Sequence, residues 1–462
     1  MKASVGLPCL RVRAPGFEPY ARFIYTGKNR GRSSGLYIVA RVNGIPEKPD
    51  RHRGRRKMGF QASADLSAAH GVTLWRYAVH IVETPESFET LRLQWQALQA
   101  ASEDHTPCLT YQYCELAAKR AIATGEVVAV VMIYDNDALL ALWPLAINRK
   151  GILRVATVLT CGNHEEYGGP LIKGRATASV VAESIRAVMQ VPADVLEIPF
   201  VEDGSLLQQA LQAAPQSWVQ KLSPERLNVL PGYSVGLRAF ARWEDFLGTL
   251  SQSLRRNLRR YGKGLSAMGS AEFGWCTTLD DAVAVVEWLF ANKRQWALNR
   301  GLNTKYLMED EVRDFFVALA SQTDLSTVPL VTFVKMDGVP ICASINLVGP
   351  RVLEYWIFTY DETYNRYSVG NLLTEFVARW AHANGRDFDM RPLYNEYKTH
   401  WVNRETRHRT PIVVLTSRGR LREFSLLFFQ ISRVRRRLVR SVMSALRSRK
   451  HFLHGALRER VR

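Results

Sequence analysis

The residues of this chain best suited to chemistry lie in one short segment, YDETYNRYSVGNLL (Tyr360–Leu373). A strand-like run ends there, and a helical pattern opens at Ser368-Val369-Gly370. Ser368 is a residue type that caps helices. Gly370 has no Cβ, so its backbone can approach a ligand. The first amides of a helix lack intrahelical acceptors, and the helix dipole favours negative charge beside them. Arg366, two residues before the cap, adds a cation. The chemistry implied is the cradling of a diphosphate. A Ser-x-Gly at a helix start most often does no more than cap it, but a strand, a loop and a helix in this order favour the anion.

Two further groups invite a chemical reading. The run LRRNLRRYGK (Leu254–Lys263) reads as a helix that sets Arg255 beside Arg259 and Arg256 beside Arg260. Like charges four residues apart repel, so a nucleotide phosphate, an anionic saccharide or acidic neighbours are expected to offset them. The bland alternative is a solvated basic face. His164, Glu165 and Glu166 suggest a base or a metal group, yet adjacent side chains seldom all point one way. With Gly168-Gly169 behind them, they read as a degenerate or acceptor-side loop.

The elements that must position these residues form an internal repeat. In the first copy, Val127–Tyr134 is a strand, Asp135-Asn136-Asp137 a turn, and Ala138–Ile147 the return strand. Leu153–Thr160 runs into the loop CGNHEEYGGP, before a helix over 176–190 and the strand Val195–Phe200. In the second, Leu330–Lys335, the turn Asp337-Gly338, Pro340–Leu347 and Val352–Thr359 repeat the meander. A helix over 369–384 and the strand Arg386–Met390 close it. Helices precede each copy: Thr84-Pro85 opens one lined by Phe88, Leu91, Trp95 and Leu98, and Thr278 with Asp281 opens one that ends before Gly301. Each half is thus α/β, a mixed and mostly antiparallel sheet flanked by helices.

Composition bounds the function. A chain of 462 residues, 47% hydrophobic and 23% charged, fits two or more globular domains. No apolar run nears the ~18 residues of a membrane span. The amino terminus lacks an apolar signal core, which argues against secretion. Six scattered cysteines, none in a Cys-x-x-Cys pair, suit reduced thiols in a cytosol. The net charge of +19 divides unevenly: +11 over 1–57, +12 over 418–462, and −4 between. A slightly acidic body disfavours nucleic acid as partner. The organisation expected is a basic disordered extension over 1–57 (or upstream sequence before a start at Met58) and two domains over 58–235 and 236–417. A tail over 418–462 completes it. That tail puts Phe424, Leu427, Ile431, Val434 and Leu438 on one face and arginines on another, which suits an anionic membrane surface or a docked helix.

The second half resembles the GNAT acyltransferase superfamily, and more closely the CelD/BcsL-type acetyltransferases associated with cellulose and exopolysaccharide biosynthesis, relatives of the FemAB transferases. The resemblance rests on FLGTLSQSLRRNLRR, WLFANKRQWALNRG, FVKMDGVPICASINL, YDETYNRYSVGNLL and FDMRPLYNEYKTHW, across much of 246–402. The first half shares the weaker NHEEYGGPL loop, and tandem GNAT-like halves are usual in that group. Two departures stand out. Arg366 is four residues from Gly370 with Asn371 where a small residue is usual, and Leu393-Tyr394 replaces the Gly-acidic pair before the closing Tyr397-Lys398.

The resemblance implies an acyltransferase using acetyl-CoA or another acyl-CoA, with no metal, held by Arg366, Ser368, Val369, Gly370 and Asn371. It implies direct attack by the acceptor, so that a base, oxyanion donors and a proton source for the thiolate are needed. Glu354 on the third strand is a candidate water-relayed base, and Asp361 at the strand's exit another, although Asp there commonly forms turns. Among Tyr360, Tyr364 and Tyr367, a phenol can protonate the thiolate; Tyr360 is the first choice. Lys398 carries over from the closing Tyr-Lys as a phosphate or acceptor contact. The expected acceptor is a sugar or amine of polysaccharide biosynthesis, in the cytoplasm or peripheral at the inner membrane. The alternatives are a FemAB-like transferase using charged tRNA, and a non-catalytic accessory protein of a polysaccharide synthase.

Overall fold

The computed structural model describes residues 12–13, 36–41, 74–163, 166–219, 229–302 and 304–422. The expectations for an extension over 1–57 and a helical tail over 418–462 fall largely outside these residues, as do His164 and Glu165. No helix among the described residues is long and apolar enough to cross a membrane.

After β1 (Val12–Arg13) and β2 (Leu36–Arg41), the first half runs β3 (Leu74–Val82), α1 (Pro85–Glu89), α2 (Arg92–Ala101) and α3 (Tyr111–Ala123). The meander β4 (Val127–Asp135), β5 (Ala138–Lys150) and β6 (Leu153–Val158) follows, then β7 (Leu171–Ile172), α4 (Ala178–Val188), β8 (Val195–Glu197), β9 (Val201–Glu202) and α5 (Leu206–Ala213). The second half opens with β10 (Leu230–Val235), α6 (Trp243–Thr249), α7 (Gln252–Ser266), β11 (Ala271–Trp275) and α8 (Leu279–Asn299). Next come α9 (Lys305–Met308), α10 (Glu311–Gln322), β12 (Val331–Met336), β13 (Val339–Val348) and β14 (Val352–Tyr360). It ends with α11 (Val369–Ala383), β15 (Asp387–Asp389), α12 (Glu396–Thr399), β16 (Arg404–Arg409) and β17 (Ile412–Val414).

Local chemistry accounts for these boundaries. The hairpin turns use left-handed Asn136 (φ 52°) and the pair Asp337-Gly338 (φ 50° and 83°), the backbone that matches strand twist. Thr84 and Ser87 cap α1 reciprocally, and the Thr278 hydroxyl accepts the Asp281 amide at 3.3 Å. The basic run FLGTLSQSLRRNLRR (Phe246–Arg260) spans two helices: Leu250 is extended, and the Ser251 hydroxyl accepts the Leu254 amide at 3.2 Å to start α7 afresh.

Both copies close as expected, β8 joining β6 in parallel and β15 joining β14 in parallel. The sheets run β1-β2-β3-β4-β5-β6-β8-β17 and β11-β12-β13-β14-β15-β10-β16-β9, with β7 on β5. The halves therefore exchange strands. β9 extends the second sheet, β17 completes the first, and β10 belongs to the second sheet although it precedes the expected boundary at 235. Sequence cannot place these short edges, because their pairing partners are remote.

Three large apolar clusters define the layers. One packs α4 and α5 on the first sheet, and another packs α6, α7 and α11 on the second. The third is shared: α2, α3, α8 and α10 fill the space between the two sheets, with Tyr113 of α3 and Phe315 of α10 in ring contact at 4.9 Å. Each half covers one face of the other.

Candidate functional site

β14 delivers the chain to the start of α11. At its exit, the Asp361 carboxylate accepts the Thr363 amide at 2.9 Å and the Thr363 hydroxyl at 2.8 Å, capping a 3₁₀ turn over Glu362–Tyr367. Ser368, at φ 47°, ends that turn and begins α11. Its hydroxyl does not cap the helix. Instead it accepts the Asn371 side-chain amide at 2.8 Å, while Asn371 Oδ1 accepts the Trp401 indole N–H at 2.8 Å. Asn371 is thereby held by its neighbours on both ends. Val369 is fully buried in the core, whereas Ser368, Gly370 and Asn371 are half-buried. Among the described residues no acceptor pairs with the Gly370 amide.

The first copy differs at this point. The α4 N-cap, Thr177, turns its hydroxyl onto the Val180 amide at 3.4 Å. The helix start in the first half is closed by its own side chain; the one in the second half is left open.

Gly370 has a packing reason as well. A Cβ there would lie 3.1 Å from the Phe358 ring and 3.6 Å from Tyr360. The missing side chain lets α11 settle closely on the aromatic end of β14, so the glycine serves helix-on-strand approach. Tyr360 stacks on Phe358 with ring centroids 6.3 Å apart, and burial pushes its phenol pKa above the ordinary value. Arg366 is exposed, lies over the Tyr367 ring and reaches Met268 Sδ at 3.5 Å.

A residue absent from the sequence reading stands beside this aromatic group. Lys293 of α8 holds its ammonium 4.2 Å above Trp296 and 5.7 Å from Phe358. Burial, with the like charge of Arg300 adding to it, lowers its pKa to about 8. α8 is tied to the same turn by the ion pair of Arg300 with Glu362 at 2.8 Å.

Glu354 and Lys398 are placed elsewhere than expected. Glu354 is 1% exposed and does not face an open cleft. One of its oxygens accepts the Thr106 hydroxyl at 2.8 Å and the other is bonded to the guanidinium of Arg391. Arg391 also pairs with Glu166 at 3.2 Å, and Glu166 accepts Tyr113, Cys108 and Trp356, each at 2.9 Å. Asp389 closes the network, accepting Tyr167 at 2.6 Å and the Arg391 amide at 2.6 Å. Burial pushes the Glu354 pKa up to about 8 against the opposing pull of Arg391. Cys108, Glu166 and Glu354 lie close enough to ligate an ion, but the guanidinium already bonds both carboxylates and burial holds the Cys108 thiol protonated.

Lys398 is buried, and its ammonium donates to the carbonyls of Arg391, Pro392 and Leu393, each at 3.1 Å. Arg391 and Leu393 both have positive φ (64° and 77°), so the lysine fastens a strained loop. Of the residues nominated from sequence, Tyr360, Asp361, Arg366, Ser368, Val369, Gly370 and Asn371 meet at the α11 entrance. Glu354 and Lys398 belong to the network beneath it. Glu166, named from sequence only as part of a degenerate or acceptor-side loop, lies at the centre of this network; Arg391 and Thr106 carried no sequence signal, because their partners are far away along the chain. A cavity of about 300 Å³ where the halves meet, lined by Arg120, Arg149, Lys150, Lys305, Glu309 and Glu311 among others, borders none of the nominated residues.

Residues 252–399 match the family model described as an acetyltransferase (GNAT) domain. No curated protein matches the chain. Among solved structures it is similar to a conserved protein of unknown function from Bacteroides thetaiotaomicron, at 11% identity and TM-score 0.46, over 73% of this chain and 100% of that one. It is also similar to the C-terminal domain of a putative lysylphosphatidylglycerol synthetase from Agrobacterium fabrum, at 11% identity and TM-score 0.45, over 74% and 96%. A tandem GNAT protein from the clavulanic acid biosynthesis pathway aligns at 11% identity and TM-score 0.36, over 73% and 99%.

Proposed function

We propose that this protein is an acyl-CoA-dependent acyltransferase of the CelD/BcsL type. It would move an acetyl or other acyl group to an amine or hydroxyl of a sugar in polysaccharide biosynthesis, in the cytoplasm or at the inner membrane face. The observation that carries this reading is the open start of α11, inside the stretch that matches the GNAT domain, set against the closed start of α4. The Gly370 amide, the helix dipole and Arg366 together suit a diphosphate.

The acceptor's nitrogen or oxygen attacks the thioester carbonyl, the C–S bond breaks, and the thiolate leaves. Tyr360, kept protonated by burial, is the proton source for that thiolate. The acceptor's proton goes to Lys293, whose amine is substantially neutral near pH 8 and sits on the ring that packs against Gly370. Glu354, with both oxygens engaged, and Asp361, committed to the 3₁₀ turn, serve as positioning residues.

Calorimetric titration with CoA and acetyl-CoA tests this on the wild type, Gly370→Ala and Gly370→Asp. Both variants add the same Cβ against Phe358, so the difference between them reports the carboxylate group alone, its charge together with its bulk. Asp should weaken binding at least tenfold beyond Ala, roughly 1.4 kcal/mol. Equal affinity for the two variants would remove the diphosphate from α11. A rise in melting temperature with charged tRNA, and none with CoA, would replace the donor with an aminoacyl-tRNA.

A further inference from the structure

α7 turns Leu258 and Leu265 into the core shared with α11 and presents Arg256, Arg259, Arg260 and Lys263 to solvent. Arginines elsewhere in the second half, including Arg242, Arg294, Arg300, Arg313 and Arg351, meet a carboxylate. Among the described residues Arg256, Arg260 and Lys263 meet none, and neither does Arg366. Arg260 lies over the Tyr261 ring and Arg366 over Tyr367, with no anion on either. Arg259 stands apart, because its field reaches Glu375 on α11. Of the offsets open to this helix, acidic neighbours are therefore absent from three of its exposed cations. Each like-charged pair one turn apart destabilises an isolated helix.

The place of this ridge indicates its ligand. Arg259 approaches Glu375 well inside α11, whereas Gly264 lies against Tyr367 just before α11 begins, with its absent Cβ 3.2 Å from that ring. The C-terminal end of α7 is thus the end beside the α11 entrance. Arg366 bridges the two, reaching Met268 just beyond α7. Arg256, Arg260 and Lys263 share the solvent side of α7, from beside Gly264 back to about two turns before it. The apolar face of α7 is used in the core, so the helix has none to embed in lipid.

We propose that Arg256, Arg260 and Lys263 form a second phosphate subsite that binds a phosphomonoester on the donor's nucleotide, beyond the diphosphate held at α11 and Arg366. This rests on the acyl-CoA reading, and it deepens that reading. The enzyme would select a 3′-phosphorylated nucleotide carrier over its dephosphorylated form.

The test compares CoA with 3′-dephospho-CoA on the full chain, for the wild type and for the Arg256→Gln/Arg260→Gln/Lys263→Gln variant. The wild type should bind CoA at least tenfold more tightly, with the preference shrinking at high salt. The variant should bring the two affinities within about twofold through weaker CoA binding alone, and should melt no lower than wild type, since it removes repulsion. Equal wild-type affinities, or a preference that survives in the variant, overturn the subsite and leave the acyl-CoA reading standing. Failure of both ligands on the wild type overturns the two together. A short RNA or an anionic vesicle that binds through these residues without competition from CoA would assign the ridge to another partner and overturn the subsite.

Discussion

At the scale of single residues, the two groups poised near neutral pH lead to opposite kinds of experiment. Glu354 holds its proton to about pH 8 in the folded protein, whereas the unfolded chain releases it near 4.5. Between those values the folded state binds more protons, so this group's contribution to stability declines as pH rises and levels off above about 8. Glu354→Gln should flatten that decline and leave the variant the more stable of the two at pH 9, as read by urea denaturation across pH. An unchanged slope would mean that Glu354 is ionised throughout. Lys293 concerns rate instead. If its neutral amine is the base, kcat/KM should climb with pH to a plateau above about 8. Lys293→Met should lower kcat at least a hundredfold and lose that limb, with CoA binding retained; a variant that keeps the profile would send the proton elsewhere.

At the scale of elements, the loop between β15 and α12 depends on one ammonium. Lys398 serves three carbonyls where two residues take left-handed backbone, so Lys398→Met takes the donor from the buried bonds to Arg391 and Pro392 and from the part-buried one to Leu393. The expected loss is about 3 kcal/mol by chemical denaturation, the range for hydrogen bonds to a charged group. A variant as stable as wild type would show that the loop holds itself. Elements were also where sequence was most legible. The strands of both meanders, the Asp337-Gly338 turn, the Thr84 and Thr278 caps and the helix after Ser368 all follow from residues within four positions of one another. The break at Leu250–Ser251 was less visible, since a serine inside a basic amphipathic run looks helical until its hydroxyl is seen to cap.

At the scale of the whole molecule, the halves are joined by exchanged strands and by a buried charge network. Thr106, Cys108, Tyr113, Glu166 and Tyr167 come from the first half; Glu354, Trp356, Asp389 and Arg391 come from the second. Arg391→Met takes the guanidinium from Glu166 and Glu354, both buried, and should cost about 3 kcal/mol or more, with tryptophan fluorescence and far-UV circular dichroism no longer reporting one shared unfolding transition. If a single transition persists at the wild-type midpoint, the network does not couple the halves.

The amino-acid sequence by itself determined the duplicated α/β unit and the helix start after Ser368, because turns, caps and amphipathic faces depend on near neighbours and a short repeat period. Only the tertiary structure decided that Glu354 is sequestered, that Lys398 is a fastener, that Lys293 stands at the aromatic floor, and that the two sheets trade strands. Those outcomes depend on contacts between positions as far apart as 248 residues, and on whether water reaches the group, which residue type does not specify.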